Sequence, residues 1–216
     1  MENKKLLLIG GGGHCKSIIS SLDMNQFSEV GIVDPNLENK SEIMNIKVLG
    51  NDEDLFDLKK EGFHYAFISL GSIGDTTLRK RLYHKTVEAG LKLVNIIDKS
   101  ASVDKTASLG KGIFIGKHAI INAETILEDC CIVNTGAIIE HECHIGRFTH
   151  VAPGAVICGN CYIDDDIHIG ANSCIKQGIT IEKGVVIGMG SVVLKNVIKE
   201  MKIFGNPAKI YNGGGG

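Results

Sequence analysis

Val133-Asn134-Thr135-Gly136-Ala137-Ile138-Ile139-Glu140-His141-Glu142-Cys143-His144-Ile145-Gly146-Arg147-Phe148-Thr149-His150-Val151 is the stretch that decides the fold. Its aliphatics Val133, Ile139, Ile145 and Val151 stand six apart. The same interval runs upstream through Leu127, Ile121, Ile115 and Leu109 to Val103. Downstream it continues through Ile157, Ile163, Ile169, Ile175, Ile181 and Ile187 to Val193. Four residues after most of these comes a small side chain, among them Ala119, Thr125, Cys131, Ala137, Cys143, Thr149, Ala155, Cys161 and Ser173. Glycine, asparagine or an acid often follows the aliphatic directly, as at Gly116, Asn122, Glu128, Asn134 and Gly146. An α-helix would repeat at 3.6 and a half-buried strand at 2. A sustained six-residue repeat predicts a parallel β-helix. It also supplies a ruler: three hexads make one triangular coil, so residues 18 apart stack at roughly the 4.8 Å strand spacing.

The rest of the composition sets limits. The 216 residues fit one large or two small domains, and 44% apolar with 22% charged residues is ordinary for a globular protein. A formal net charge of -2 gives no electrostatic reason to bind nucleic acid or an anionic membrane. The apolar stretch Leu6–Ile9 is too short for a secretory or membrane-spanning segment, so a cytoplasmic protein is expected. Seven cysteines form no disulfide framework. Cys131, Cys143 and Cys161 fall in the small slot of their hexads and read as reduced, packed thiols.

Before residue 100 the pattern changes to strand–helix alternation. Strands are expected at Lys5–Ile9, Val30–Asp34, Tyr65–Leu70 and Leu91–Ile97. Helices are expected from His14 to about Met24, over Asp52–Glu61, and from an Asp75 cap through Leu78, Leu82 and Val87 to Gly90. The fold class is therefore mixed: a small Rossmann-like βαβ domain over 1–98, then an all-β parallel coil over 99–216 with a tail from Lys199 to Tyr211. The last four glycines read as disordered.

Gly10-Gly11-Gly12-Gly13-His14 joins the first strand to the first helix. Glycines there let a ligand approach the backbone, and a helix N-terminus favours phosphate. The dinucleotide fingerprint is broken, with Cys15 or Lys16 at its third glycine, so NAD is not favoured. The bland alternative is a tight turn that serves packing alone. Asp34, ending the second strand, sits where an acid could meet a ribose or a base, although a turn aspartate before Pro35 reads almost the same. Gly71 ends the third strand at the same sheet edge. The run Arg79-Lys80-Arg81 reads as a solvated helix face.

Glu140-His141-Glu142-Cys143-His144 is the densest ionisable cluster in the coil. Ile139 and Cys143 point inward, while His141 lies outside both interior slots. It reads as a general base flanked by carboxylates that can fix its tautomer, against a merely exposed histidine. Gly159, 18 residues on, stacks on the same corner, where its N–H could meet a developing oxyanion. His150 lies on another edge and reaches His141 only across a subunit boundary or through a ligand. His150 and His168 form a second stacked pair. No metal is expected. The coil histidines include no pair five apart, the spacing used by zinc-binding β-helix enzymes, and His141 with His144 supplies too few ligands.

Together the hexads, Asn134 to Cys143, Gly146 to His150, the tail Gly205-Asn206-Pro207-Ala208-Lys209 and the glycine loop resemble the sugar O- and N-acetyltransferases of the PglD and NeuD type. The resemblance spans essentially the whole chain. It implies a left-handed β-helix, a homotrimer, acetyl-CoA held between neighbouring coils, and a nucleotide-linked amino sugar held by the N-terminal domain. It further implies His141 as base, Glu142 as its orienting carboxylate, Asn134 lining the sugar site, and His150 and the Gly159 amide near the thioester. Gly205, Pro207, Ala208 and Lys209 would contact acetyl-CoA. The segment Gly71-Ser72-Ile73-Gly74-Asp75 is longer than the family's usual loop at that point and would border the nucleotide. Competing readings are O-acetylation of a sialic acid or related free sugar, and a non-catalytic β-helix with a nucleotide-sensing loop.

Overall fold

The computed structural model describes residues 4–211; the four terminal glycines lie outside them. The chain divides into two compact units. One comprises residues up to Gly71 together with Thr77–Ile96; the other takes Ser72–Thr76 and everything from Ile97. The second unit thus contains a short segment taken from the middle of the first, where the sequence predicts a single boundary near residue 98.

In the first unit β1 (Lys5–Ile9) is central, pairing in parallel with β2 (Glu29–Val33) and β5 (Phe63–Ile68). Leu6, Leu7 and Leu8 are all fully buried, so β1 is covered on both faces, as a parallel strand written as one apolar run must be. Beyond β2 lies a hairpin that the alternation does not reveal, β3 (Glu42–Ile43) and β4 (Ile46–Gly50). Its turn places Met44 and Asn45 at φ 50° and 65°, the left-handed pair of a two-residue hairpin loop, without the Asn-Gly signature that would announce it. At the other edge β6 (Lys92–Leu93) pairs with β5 and is far shorter than the strand expected over 91–97.

The helices are α1 (Gly13–Ser21), α2 (Leu55–Lys60) and α3 (Thr77–Glu88). Two expectations for α3 fail. It starts two residues after Asp75, and its packed stripe is Arg79, Leu82 and Thr86, leaving Leu78 and Val87 exposed. That i, i+3, i+7 spacing carries Arg79 inward. Arg79 is 1% exposed, so the Arg79-Lys80-Arg81 run is not a uniformly solvated face.

The second unit is the β-helix that the hexads predict. Two-residue strands form three parallel sheets, each pairing residues 18 apart: Val133 with Val151, Ile139 with Ile157, Ile145 with Ile163. From Ile115 to Val193 every hexad aliphatic is at most 1% exposed. Removing one of these side chains, as in Ile139→Ala, would cost about 2–5 kcal/mol.

The small slot does more than fill space. Thr125, Cys131, Cys143, Thr149, Cys161 and Ser173 each donate to the carbonyl 15 residues on, at 3.0–3.3 Å. Each acceptor follows the inward aliphatic of the next coil. Buried corner carbonyls need partners, and a hydroxyl or thiol supplies one where alanine cannot. Every sixth residue from Gly112 to Gly190 has positive φ. Eight of these corner residues are not glycine, Glu142 (φ 58°) among them, and the surrounding ladder holds each in a conformation that costs about 1 kcal/mol or more.

Candidate active site

His141 and Glu142 sit at the corner between strands Ile138–Ile139 and His144–Ile145. The left-handed turn at Glu142 brings its carboxylate to 2.9 Å from His141 Nδ1. A carboxylate there can only accept, so Nδ1 carries the proton and Nε2 presents a lone pair. The imidazole stays 58% exposed. Its Cε1–Nε2 edge lies against Gly159, whose backbone is buried. The Gly159 carbonyl accepts from Gly178 and the Asn160 N–H donates to the His141 carbonyl. Among the described residues the Gly159 N–H has no hydrogen-bond partner.

Asn134 sits at the next corner back, on the far side of strand Ile138–Ile139, and His150 is an outward strand residue one coil on from Ile132. Asn134 Nδ2 is 3.4 Å from His150 Nε2, and Asn134 Oδ1 accepts from the Thr135 N–H at 2.8 Å. His150 Nδ1 donates to the Ser72 carbonyl at 2.9 Å. His150 and His168 pack edge to face at 5.0 Å, and burial holds His168 below the usual histidine range. The segment expected to border a nucleotide therefore lies, from Ser72 to Thr76, against the coil. Among the described residues no group of three or more His, Cys, Asp or Glu is arranged to hold a metal ion.

Going down the coil from His141, the same corner carries Gly159, Gln177 and Lys195. The tail closes this end. Lys202–Phe204 adds to strand Val186–Ile187, and Lys209–Ile210 folds back on it. The Gly205 carbonyl accepts from Val192, and the Ala208 N–H donates back to the Val192 carbonyl. Leu194, Ile198, Met201, Ile203, Pro207 and Ala208 line an open apolar cavity of about 440 Å³; Lys209 is exposed beside it.

In the first unit the four glycines differ. Gly10 has φ +104°, which excludes other residues. A side chain on Gly11 would displace the ends of Leu37 and Ile43, and the Gly11 N–H donates to Asp34 Oδ2 at 2.7 Å. Asp34 Oδ1 accepts from Asn36, so this carboxylate ties the loop to the end of β2. Gly12 and Gly13 face open space, and α1 starts there with no side-chain cap. His14 packs on Gly71. Burial, reinforced by the Arg79 guanidinium, lowers its pKa to about 4.

Residues 5–86 match the family model of the PglD N-terminal domain. PerB from Caulobacter crescentus, solved in complex with CoA and GDP-perosamine, is 30% identical with a TM-score of 0.87, over 98% of this chain and 99% of that one. The acetyltransferase domain of PglB from Neisseria gonorrhoeae FA1090 is 30% identical with a TM-score of 0.89, over 97% and 100%, and it has also been solved with acetyl coenzyme A. WeeI from Acinetobacter baumannii AYE, at 22% identity and a TM-score of 0.86 over 96% and 100%, shares the fold.

Proposed function

The chain belongs to the PglD/NeuD-type sugar acetyltransferases, and on that premise we propose that it moves acetyl from acetyl-CoA to the C4 amine of a nucleotide-linked amino sugar. It is an acetyltransferase with a left-handed β-helix and acetyl-CoA as co-substrate. The attacked position and the residues that act belong to the proposal. The observation that carries it is the His141 corner: an exposed imidazole with Nδ1 tied to Glu142, Nε2 free, and a glycine amide beneath.

The thioester is already activated, so the protein must supply position, a proton acceptor and oxyanion stabilisation. The neutral sugar amine attacks the thioester carbon. His141 Nε2 takes the amine proton, and Glu142 steadies the imidazolium. The Gly159 N–H faces the carbonyl oxygen as it gains charge. The tetrahedral species then expels CoA thiolate, which leaves as the thiol with that proton, and the amide remains on the sugar. No covalent acyl-enzyme is required, since Cys143 faces inward, where the neighbouring Cys161 thiol and burial hold its own thiol protonated.

Acetyl-CoA would run down the corner from Gly159 past Gln177 to Lys195, about 10 Å over two coil steps at the ~4.8 Å spacing, and on to the tail. The sugar nucleotide would place phosphate at the open Gly12–Gly13 end of α1. We also read the protein as a homotrimer. Its outward column Ile120, Ile138, Val156, Cys174 and Val192 is apolar and only half-buried in the single chain. His141 and Asn134 occupy the two corners beside that column, so a neighbouring copy packed on it would bring one chain's His141 toward the other's Asn134.

The deciding assay supplies acetyl-CoA with GDP-, UDP- and dTDP-linked amino sugars and with free sialic acid. N-acetylation of a nucleotide-linked sugar supports the proposal. Turnover of sialic acid alone would replace it with O-acetylation.

A further inference from the structure

The segment Ser72–Thr76 touches the coil at three points. The Ser72 carbonyl accepts from His150. Gly74 lies against Val186, where an added Cβ would stand 3.0 Å from the valine methyl. The Thr76 hydroxyl donates to Asp166 Oδ1 at 2.7 Å, and Lys183 Nζ lies 3.6 Å from the other oxygen of that carboxylate. His150, His168 and Val186 are stacked outward residues of one sheet. The segment therefore covers a column of the coil, and His150 beneath it is only 9% exposed.

That burial limits what His150 can do directly, whereas its two ring nitrogens are both accounted for. A carbonyl oxygen only accepts, so Nδ1 bears the proton. Nε2 is then an acceptor, and an amide nitrogen, which only donates, faces it from Asn134. The Asn134 amide cannot be turned round without loss, because Oδ1 accepts from the Thr135 N–H. Three hydrogen bonds in series, from the Ser72 carbonyl through the imidazole to the Thr135 N–H, fix one orientation of the Asn134 side chain. That side chain is half-exposed, with one amide N–H and one oxygen lone pair left for a ligand.

We propose that His150 is a positioning residue: held as the Nδ1–H tautomer by the Ser72 carbonyl, it aims the Asn134 amide at the acceptor sugar and leaves the thioester to other groups. The proposal rests on reading the chain as an amino-sugar acetyltransferase with Asn134 at the sugar. It replaces the expectation that His150 serves acetyl-CoA. It also gives the long 71–75 segment a purpose, since the segment sets the tautomer from which the orientation follows.

The imidazole has two substitutes of different reach. Asparagine keeps a donor where Nδ1 stands and has nothing at Nε2; glutamine reaches the Nε2 position with an acceptor oxygen. In the full-length protein, His150→Asn should raise the amino-sugar KM about tenfold and leave the acetyl-CoA KM unchanged, with His150→Gln closer to wild type. Added to Asn134→Ala, His150→Asn should cause no further loss, because it acts through a group already removed. Imidazole nitrogen NMR should show His150 protonated at Nδ1, with the Nε2 resonance moving in Asn134→Ala.

An Nε2-protonated His150, additive losses in the double variant, wild-type kinetics in His150→Asn, or a rise in the acetyl-CoA KM instead would each overturn the proposal. If the unmodified protein acetylates no amino sugar, the functional reading fails, and the NMR measurement still decides whether the Ser72–His150–Asn134 chain exists.

Discussion

The His141 imidazole occupies the space that a side chain at Gly159 would fill: a Cβ there would stand 2.6 Å from both Cε1 and Nε2 of the ring. The Gly159 backbone is both a floor for the base and a donor beside it. Gly159→Ala should therefore tilt the ring away without disturbing the coil, whose interior residue at this level is Ile157. Turnover should fall roughly 10²-fold, comparable with the lower end of losing general-base catalysis outright, while the melting temperature stays within a few degrees. Steady-state kinetics beside a thermal melt checks this; wild-type turnover in Gly159→Ala would mean that the ring position is irrelevant to the chemistry.

Glu142 sits in the left-handed region at φ 58°, so its backbone is strained for the sake of where its carboxylate lands. Glu142→Gly removes the strain, about 1 kcal/mol, and adds unfolded-state entropy of about the same size. Stability should barely change while turnover drops at least tenfold. A variant that melts much earlier would show that the carboxylate supports the fold rather than the histidine.

His141 and Asn134 flank one apolar face, which makes subunit mixing informative. The His141→Ala variant alone should be nearly inactive, and the Asn134→Ala variant alone strongly impaired at low amino-sugar concentration. After exchange of equal amounts, roughly a quarter of the interfaces in a cyclic assembly would carry both intact residues, and activity should return to about that fraction. No recovery despite proven exchange would place both residues' work within one chain. A monomeric mass at full activity would remove the trimer altogether.

At the glycine loop, a Cβ added to Gly13 would meet nothing within 4 Å, so Gly13→Val can fold and only the approach of a ligand is obstructed. Calorimetry should show nucleotide-sugar binding weakened at least tenfold with acetyl-CoA binding unchanged. Equal losses would indicate misfolding, and no loss would leave the helix end without its phosphate.

His14 predicts a pH effect. Its pKa is about 4 in the folded protein, through burial first and Arg79 second, against about 6.5 unfolded. Between those values the unfolded chain binds more protons, so stability is complete above pH 6.5 and is lost as pH falls toward 4. The loss amounts to at most about 3 kcal/mol. Urea melts at pH 7.5 and 5 should show a larger drop for the wild type than for His14→Gln. Equal drops would mean that His14 titrates normally.

Legibility in the sequence follows distance along the chain. The coil is readable because one inward residue in six repeats for sixteen hexads, and the fixed interval of 18 brings Gly159 to His141 from spacing alone. The β3–β4 hairpin stays hidden because Met44-Asn45 is an unusual pair for a left-handed turn. Arg79 misleads because three consecutive basic residues look like surface, although helical spacing puts the first of them beside Leu82 and Thr86. The Ser72–His150 bond joins residues 78 apart in different structural contexts. No periodicity connects them, and neither residue type announces the other.

The 18-residue pairing interval constrains insertions unequally. A hexad added between Cys143 and Gly159 would still supply one inward aliphatic, one small side chain and one left-handed corner, so the prism could absorb it. Every later residue, however, would move round to the next side of the prism, and the glycine beneath His141 would give way to another residue. Only an insertion of a whole coil at a time would keep the downstream corners aligned, and one made between His141 and Gly159 would still part those two. Loops elsewhere in the chain can lengthen by single residues; this stretch can change length without unfolding and still lose its chemistry.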